Sequence, residues 1–208
     1  MGGQENAARA LRGLAEVPVV VGLAVVIVIV LRALLVQPFY IPSASMVPQL
    51  EINDKILVSR ISYRLHPIHR GDVIVFPEPP GAHLEGLSSP SPGGLSGVFH
   101  AVGQRLGLVP RNDELIKRVI GLPGETVEAR SNHIYIDGRL LVEPYIAPAP
   151  EYSTTDFGPV RVPKGDVWVM GDNRQDSEDS RYFGAVRETT VVGRAVIRIW
   201  PLDHLSFL

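Results

Sequence analysis

From Val17 to Val36 the chain reads VPVVVGLAVVIVIVLRALLV, twenty residues in which Arg32 is the single charge. As a helix, at about 1.5 Å per residue, such a run spans roughly 30 Å, the thickness of a bilayer hydrocarbon core. The pattern predicts one N-terminal transmembrane helix over 17–36, behind a short polar tail, 1–16, whose basic side chains are Arg9 and Arg12. Arg32 sits near the end of the run, where its stem can carry the charge out to the headgroups. Two other readings compete. A cleaved signal peptide fits the basic residues before the run and the small residues Ser43, Ala44 and Ser45 after it, but the run is long for one. A buried core helix lacks the polar face that would mark it. Arg9 and Arg12 are compatible with a cytoplasmic N-terminus and the rest of the chain outside, although Arg32 and later arginines weaken that argument.

Past Leu50 the pattern changes to short β-branched runs separated by turn residues. KILVS (55–59), DVIVF (72–76), LIKRVI (115–120), HIYI (133–136), DVWVM (166–170) and VVGRAVIRIW (191–200) read as strands. Asp137-Gly138 between HIYI and RLLV signals a two-residue hairpin. The fold class expected is mainly β, an antiparallel sheet domain over 37–208 with Pro- and Gly-rich loops, preceded by the anchor. Residues 77–112 break the pattern: EPPGA and LSSPSPGG lead into LSGVFHAVGQRLGL, with Leu95, Val98, Phe99, Val102 and Leu106 at helical spacing. This predicts a loop insertion carrying a short amphipathic helix, packed on its own domain or lying on a membrane surface. The prolines of 143–159 predict a second extended loop that is no core strand.

Composition narrows the function classes. A formal net charge of -2 and a pI near 6.3 give no basic stripe, so nucleic acid is not an expected partner. The absence of cysteine removes thiol catalysis, disulfides and cysteine metal sites. Of twenty basic side chains only Lys55, Lys117 and Lys164 are lysines. Arginine holds its proton at any ordinary pH, whereas a buried lysine can lose it near neutrality.

Three stretches could carry chemistry. In IPSASMVPQL (41–50), Ser45 is boxed in by Pro42 and Pro48 on a backbone with little freedom, and reads as a nucleophile or as part of a Pro-rich neck. In LIKRVI, alternation puts Leu115, Lys117 and Val119 on one face; an interior Lys117 would be a neutral amine fit to take a serine proton, a solvated one an ordinary edge charge. GDNRQDSEDSRYFG (171–184) is a polar loop dense in side-chain to backbone bonds. It lacks the alternating ligands and central glycine of a calcium loop. Through Ser177 it could orient an amine, with Asp179 and Arg181 pairing to hold its shape. His66 and His69 could be metal ligands or serve a triad, but Pro67 prevents a helical pair and no HExxH or nucleophile-elbow pattern occurs.

IPSASM, GDVIVF, IKRVIGLPGE and GDNRQDSEDSRYFG, in that order between Pro38 and Pro201, resemble the bacterial type I signal peptidases, membrane-anchored serine peptidases with a Ser/Lys dyad. The resemblance implies Ser45 as nucleophile and Lys117 as general base, with the Ser43 hydroxyl and the Ser45 N–H as oxyanion hole. It implies Ser177 as hydrogen-bond partner of the lysine, Asp179 and Arg181 as a structural ion pair, and Gly171, Asp172 and Asn173 as the opening of the supporting loop. Phe39, Ile41, Met46, Leu50, Leu115 and Ile116 match or adjoin pocket positions for small residues at the substrate's −1 and −3 sites. Gln49 stands where the family usually has Thr or Ser, and Gln175 where it usually has Asp. The implied partners are preprotein signal peptides and the lipid bilayer, with no metal or cofactor, at the plasma membrane with the domain on the extracytoplasmic side. A non-cleaving anchored β-domain that binds exported chains, or a self-cleaving Ser/Lys domain of the repressor type, are the alternatives.

Overall fold

The computed structural model describes residues 18, 20–25, 35–79, 114–146 and 153–208. The chain divides into two compact units, Met1–Val36 and Gln37–Leu208. In the first, residue 18 and residues 20–25 are helical, with Val20, Val21, Leu23 and Val25 exposed. No helix among the described residues is long and apolar enough to cross a membrane. Most of the predicted 17–36 span lies outside the described residues, as does all of the insertion beyond Pro79.

The second unit is mainly antiparallel β. Its strands are β1 (Val36–Tyr40), β2 (Lys55–Ser59), β3 (Val73–Pro77), β4 (Glu114–Gly121), β5 (Thr126–Arg130), β6 (His133–Ile136), β7 (Arg139–Leu140), β8 (Phe157–Arg161), β9 (Asp166–Met170), β10 (Val186–Arg187), β11 (Gly193–Trp200) and β12 (Ser206–Phe207). One sheet runs β1-β2-β11-β3-β4-β9-β10, with β12 paired to β11; the other runs β7-β6-β5-β8. Each of the six runs read as strands contains or falls within one of these elements or overlaps it, with Asp72, Val191 and Val192 outside, because their β-branched side chains pack on a pleated surface. Asp137 and Gly138 both have positive φ between β6 and β7, the type I′ requirement that glycine meets without strain. The predicted loop 143–159 ends differently from expectation, since β8 begins at Phe157. Pro159 is accommodated because β8 is an edge strand of the small sheet.

The large sheet is covered on both faces. Phe39, Ile41, Met46, Leu50, Ile56, Val58, Val73, Val75, Ile116 and Ala195 form one cluster, while Ile74, Phe76, Leu115, Val119, Val167 and Val169 belong to a second with Ile68 and Val186. A third joins the small sheet to the large one through Ile120, Trp168 and Met170. β4 touches all three clusters, so from Leu115 to Gly121 every residue is buried, whichever face it points to.

β4 is also asymmetric along its length. Glu114–Arg118 pair with Pro77–Val73 of β3, whereas β9 pairs only from Arg118 onward, with Met170, Val169 and Trp168. Beside Leu115, Ile116 and Lys117 no described strand occupies the second edge.

Candidate active site

Between β1 and β2 the chain makes a tight excursion that carries Ser45. Its ends are tied by Ile41 N donating to Asp54 O at 2.9 Å and Asn53 N donating to Ile41 O at 2.9 Å. Arg198 braces it, giving Nη1 hydrogen bonds to Gln49 O and Asp54 Oδ2 at 3.1 and 3.2 Å. Ala44–Met46 form one 3-10 turn, and Leu50 N closes the following turn on Met46 O. Met46 and Leu50 are fully buried, and each such side chain contributes about 2 kcal/mol to holding the turn down.

Ser45 Oγ lies 2.8 Å from Lys117 Nζ, and both side chains are buried. Lys117 therefore has no water to solvate an ammonium, and burial pushes its pKa down to about 8. The Asp179, Asp172 and Glu178 carboxylates pull the other way, and Arg181 reinforces burial. A neutral amine at this distance is within reach of the proton of a serine hydroxyl, which general-base catalysis needs. Ser43 Oγ donates to Ser45 Oγ at 3.3 Å.

The loop after β9 supports this pair from behind. Asn173 N donates to Ser45 O at 3.0 Å, and Asn173 Nδ2 to Ala44 O at 3.2 Å, so one residue grips two consecutive carbonyls of the nucleophile turn. Gly171 is wedged so tightly that a Cβ there would strike Ser177 Oγ and come within 2.5 Å of Ser45 O. Its N–H donates to Asp179 Oδ2 at 3.0 Å, while Asp179 takes two further bonds at 2.8 Å from Arg181 Nε and Nη2. Asp172 is held by a bidentate pair with Arg118, 2.8 Å to Nε and 2.6 Å to Nη2, and Arg118 Nη1 also donates to Gly71 O at 2.8 Å.

The expected hydrogen bond from Ser177 to Lys117 is not made: the Ser177 hydroxyl is buried beside Gly171 with no partner. The packing of Gly171 between Ser177 and the Ser45 carbonyl brings the hydroxyl to the site without aiming it at the amine. Of the six predicted pocket residues, Phe39, Ile41, Met46, Leu50 and Ile116 share one cluster behind the Ser45 turn. Leu115 does not join them, because strand alternation turns it from Ile116 into the second cluster. Gln175 Nε2 donates to Ser153 Oγ at 2.6 Å, linking the loop to the segment before β8.

Sequence reasoning passed over Arg118, Arg174, Glu143 and Tyr145. Arg118 carried a signal, since a cation next to Lys117 in an aliphatic strand requires a buried counter-charge. Among the described residues no group of three or more His, Asp or Glu side chains is arranged to hold a metal ion.

Comparison with known proteins gives a consistent result. A family model described as "Signal peptidase, peptidase S26" matches residues 14–200. Signal peptidase I of Leptolyngbya laminosa is 39% identical over 188 residues, covering 90% of this chain and 80% of that protein. For signal peptidase I of Mycobacterium tuberculosis the identity is 36% over 214 residues, with coverages of 90% and 73%. For that of Bacillus caldolyticus it is 32% over 195 residues, with 88% and 90%. The crystal structure of a signal peptidase I from Enterococcus faecalis aligns with a TM-score of 0.43 at 32% identity, covering 63% of this chain and 98% of that one.

Proposed function

The chain belongs to the peptidase S26 family of signal peptidases, and from that premise we propose how its residues perform the reaction. It is a serine endopeptidase that removes signal peptides from preproteins. Ser45 is the nucleophile and Lys117 the general base. The observation that carries this assignment is the 2.8 Å approach of a buried amine to a buried hydroxyl.

Neutral Lys117 takes the Ser45 proton as Oγ attacks the scissile carbonyl. Charge then develops on the carbonyl oxygen, where the Ser45 N–H and the Ser43 hydroxyl donate to it; Ser43 turns from its bond to Ser45 Oγ to do so. The Lys117 ammonium returns its proton to the departing amine, leaving an acyl-enzyme. Lys117, neutral again, draws a proton from water as that water attacks the ester. Ser177, Asp179, Arg181, Asp172 and Asn173 act by holding the loop that backs the pair.

The edge of β4 beside Leu115–Lys117, which no described strand occupies, supports binding of the substrate as an added strand, read through its main chain. Phe39, Ile41, Met46, Leu50 and Ile116 pack as one apolar cluster behind the Ser45 turn, which supports apolar pockets there for small side chains at −1 and −3.

The family is membrane-associated, and we assign 17–36 as a single anchor, 1–16 as a cytoplasmic tail, 37–208 as an extracytoplasmic peptidase domain and 77–112 as its insertion. Exposed Trp200, Leu202, Leu205 and Phe207 on that domain support contact with lipid. Restraining enzyme and substrate at one surface raises their effective concentration.

The test is cleavage of a preprotein with an Ala-x-Ala site in detergent. Ser45→Ala and Lys117→Ala each abolish the size shift, and every single His→Ala variant retains it. Cleavage by either dyad variant would end the assignment.

A further inference from the structure

Glu143 and Tyr145 lie in the segment after β7, outside every stretch that the sequence marked as chemical. Glu143 Oε1 accepts from Arg174 Nη2 at 2.5 Å and from Tyr145 Oη at 2.9 Å, and Oε2 accepts from Arg174 Nη1 at 3.3 Å. The Arg174 side chain is almost wholly buried, so Glu143 supplies the counter-charge a buried guanidinium requires. Arg174 Nη1 also donates to Thr154 Oγ1 at 3.1 Å, and Nε to Gly171 O at 3.0 Å. The Tyr145 ring lies over the Arg118 guanidinium, 4.1 Å from its centroid.

These two side chains thus grip both guanidiniums that bracket Asp172. Arg118 holds the Asp172 carboxylate, and Arg174 holds the carbonyl of Gly171, the residue immediately before it. Asn173, immediately after it, holds Ser45 O and Ala44 O. Three consecutive residues of the loop are therefore fixed, two through Glu143 and Tyr145 and one onto the nucleophile turn. Burial and the neighbouring Glu143 carboxylate push the Tyr145 phenol above its ordinary pKa, so it remains a donor across the working range.

We propose that Glu143 and Tyr145 are positioning residues for the Ser45–Lys117 pair, acting through Arg174 and Arg118 on the 171–173 loop. The inference rests on the assignment of Ser45 and Lys117 as the reacting pair. Neither Glu143 nor Tyr145 touches substrate; they fix how closely the hydroxyl meets the amine. Small displacements of a reacting pair lower the chemical step while leaving ground-state binding intact.

The experiment measures kcat and KM of the full chain in detergent on a peptide with an Ala-x-Ala site, alongside thermal unfolding. Glu143→Gln keeps the shape and one of the two acceptor oxygens but loses the charge; Tyr145→Phe loses one hydrogen bond and keeps the ring. Glu128→Gln, on β5 in a surface ion pair with Arg130, is the control with unchanged kinetics. For folded Glu143→Gln the expected result is kcat lower by roughly tenfold or more, with KM within about twofold. Tyr145→Phe lowers kcat by about threefold with KM held, and carries the test by itself if Glu143→Gln does not fold. Unchanged kcat in the folded variants, or a loss that falls on KM, overturns the inference. Neither result touches the dyad assignment, which fails only if Ser45→Ala or Lys117→Ala still cleaves.

Discussion

Lys117 Nζ meets Ser45 Oγ at 2.8 Å across 72 positions of sequence, the lysine on a strand buried on both faces and the serine on a turn pinned to that strand's flank. The closeness of the contact and the dryness around it act together. Exclusion of water brings the amine to about pH 8, where its neutral form is accessible near physiological pH.

The first prediction concerns pH. The reactive form is the deprotonated amine, so kcat/KM rises about tenfold per pH unit below the folded pKa and levels off above about 8. Bound substrate covers the amine further and favours its neutral form, so the profile of kcat turns at a lower pH than that of kcat/KM. Paired steady-state profiles check both statements, and a kcat/KM flat from pH 6 to 9 (about three units) contradicts them.

Glu178 offers a way to move that profile. Its carboxylate favours the charged amine, so removing it lowers the pKa and shifts the acid limb toward lower pH. Glu178 is only half-buried, so solvent screens it and the shift for Glu178→Gln is small. A displacement toward higher pH has the wrong sign for this account.

Asn173→Ala removes the Nδ2 bond to Ala44 O while leaving the main-chain bond to Ser45 O. Loss of one such bond, about 1 kcal/mol, loosens the turn and lowers kcat by roughly fivefold to tenfold. Unfolding midpoints and kcat on the same peptide separate this effect from gross instability.

Gly171→Ala is expected to be far more damaging. The added methyl collides with Ser177 Oγ and the Ser45 carbonyl, which cannot both yield. Overpacking of this kind costs about 1–3 kcal/mol, and the displaced turn loses at least ~100-fold in kcat/KM. Replacing Ser177 with Gly in the same chain should restore part of the stability, although not the full activity.

The Arg118–Asp172 pair has a stability signature. Arg118→Leu leaves Asp172 buried without its counter-charge and destabilises by about 3–5 kcal/mol, whereas Arg118→Leu with Asp172→Leu recovers much of that loss. Denaturant unfolding of the two variants beside the parent chain is the measurement, and equal stability of single and double variants would contradict the role given to the pair.

Much of the sheet domain was legible in the residues. KILVS, HIYI and DVWVM are strands over the predicted spans, because β-branched runs between turn signals admit few other structures. The Asp137-Gly138 turn was legible for the same local reason. β1 was not: VQPFY follows an apolar run of different period, and pairing with β2 across the Ser45 excursion leaves no local trace. The burial of Lys117 was also undecidable locally, since alternation assigns side chains to faces but does not say which face is covered. The answer came from β4 being central and flanked by three clusters. Glu143 and Tyr145 escaped notice because a Pro-rich connection gives no sign that its acid and its phenol are partly buried against two guanidiniums.

Leu115, Ile116, Val119 and Ile120 make both sides of β4 oily, so greasy patterning would tolerate the strand sliding by one position against Val73–Pro77. The adjacent cations would not. A slip in one direction sets Arg118, a guanidinium that never gives up its proton, opposite Ser45 and Val119 opposite Asp172; a slip in the other sets Lys117 opposite Asp172 and Ile116 opposite Ser45. Misthreaded molecules would be inert, and the choice of one lysine beside one arginine is what penalises them.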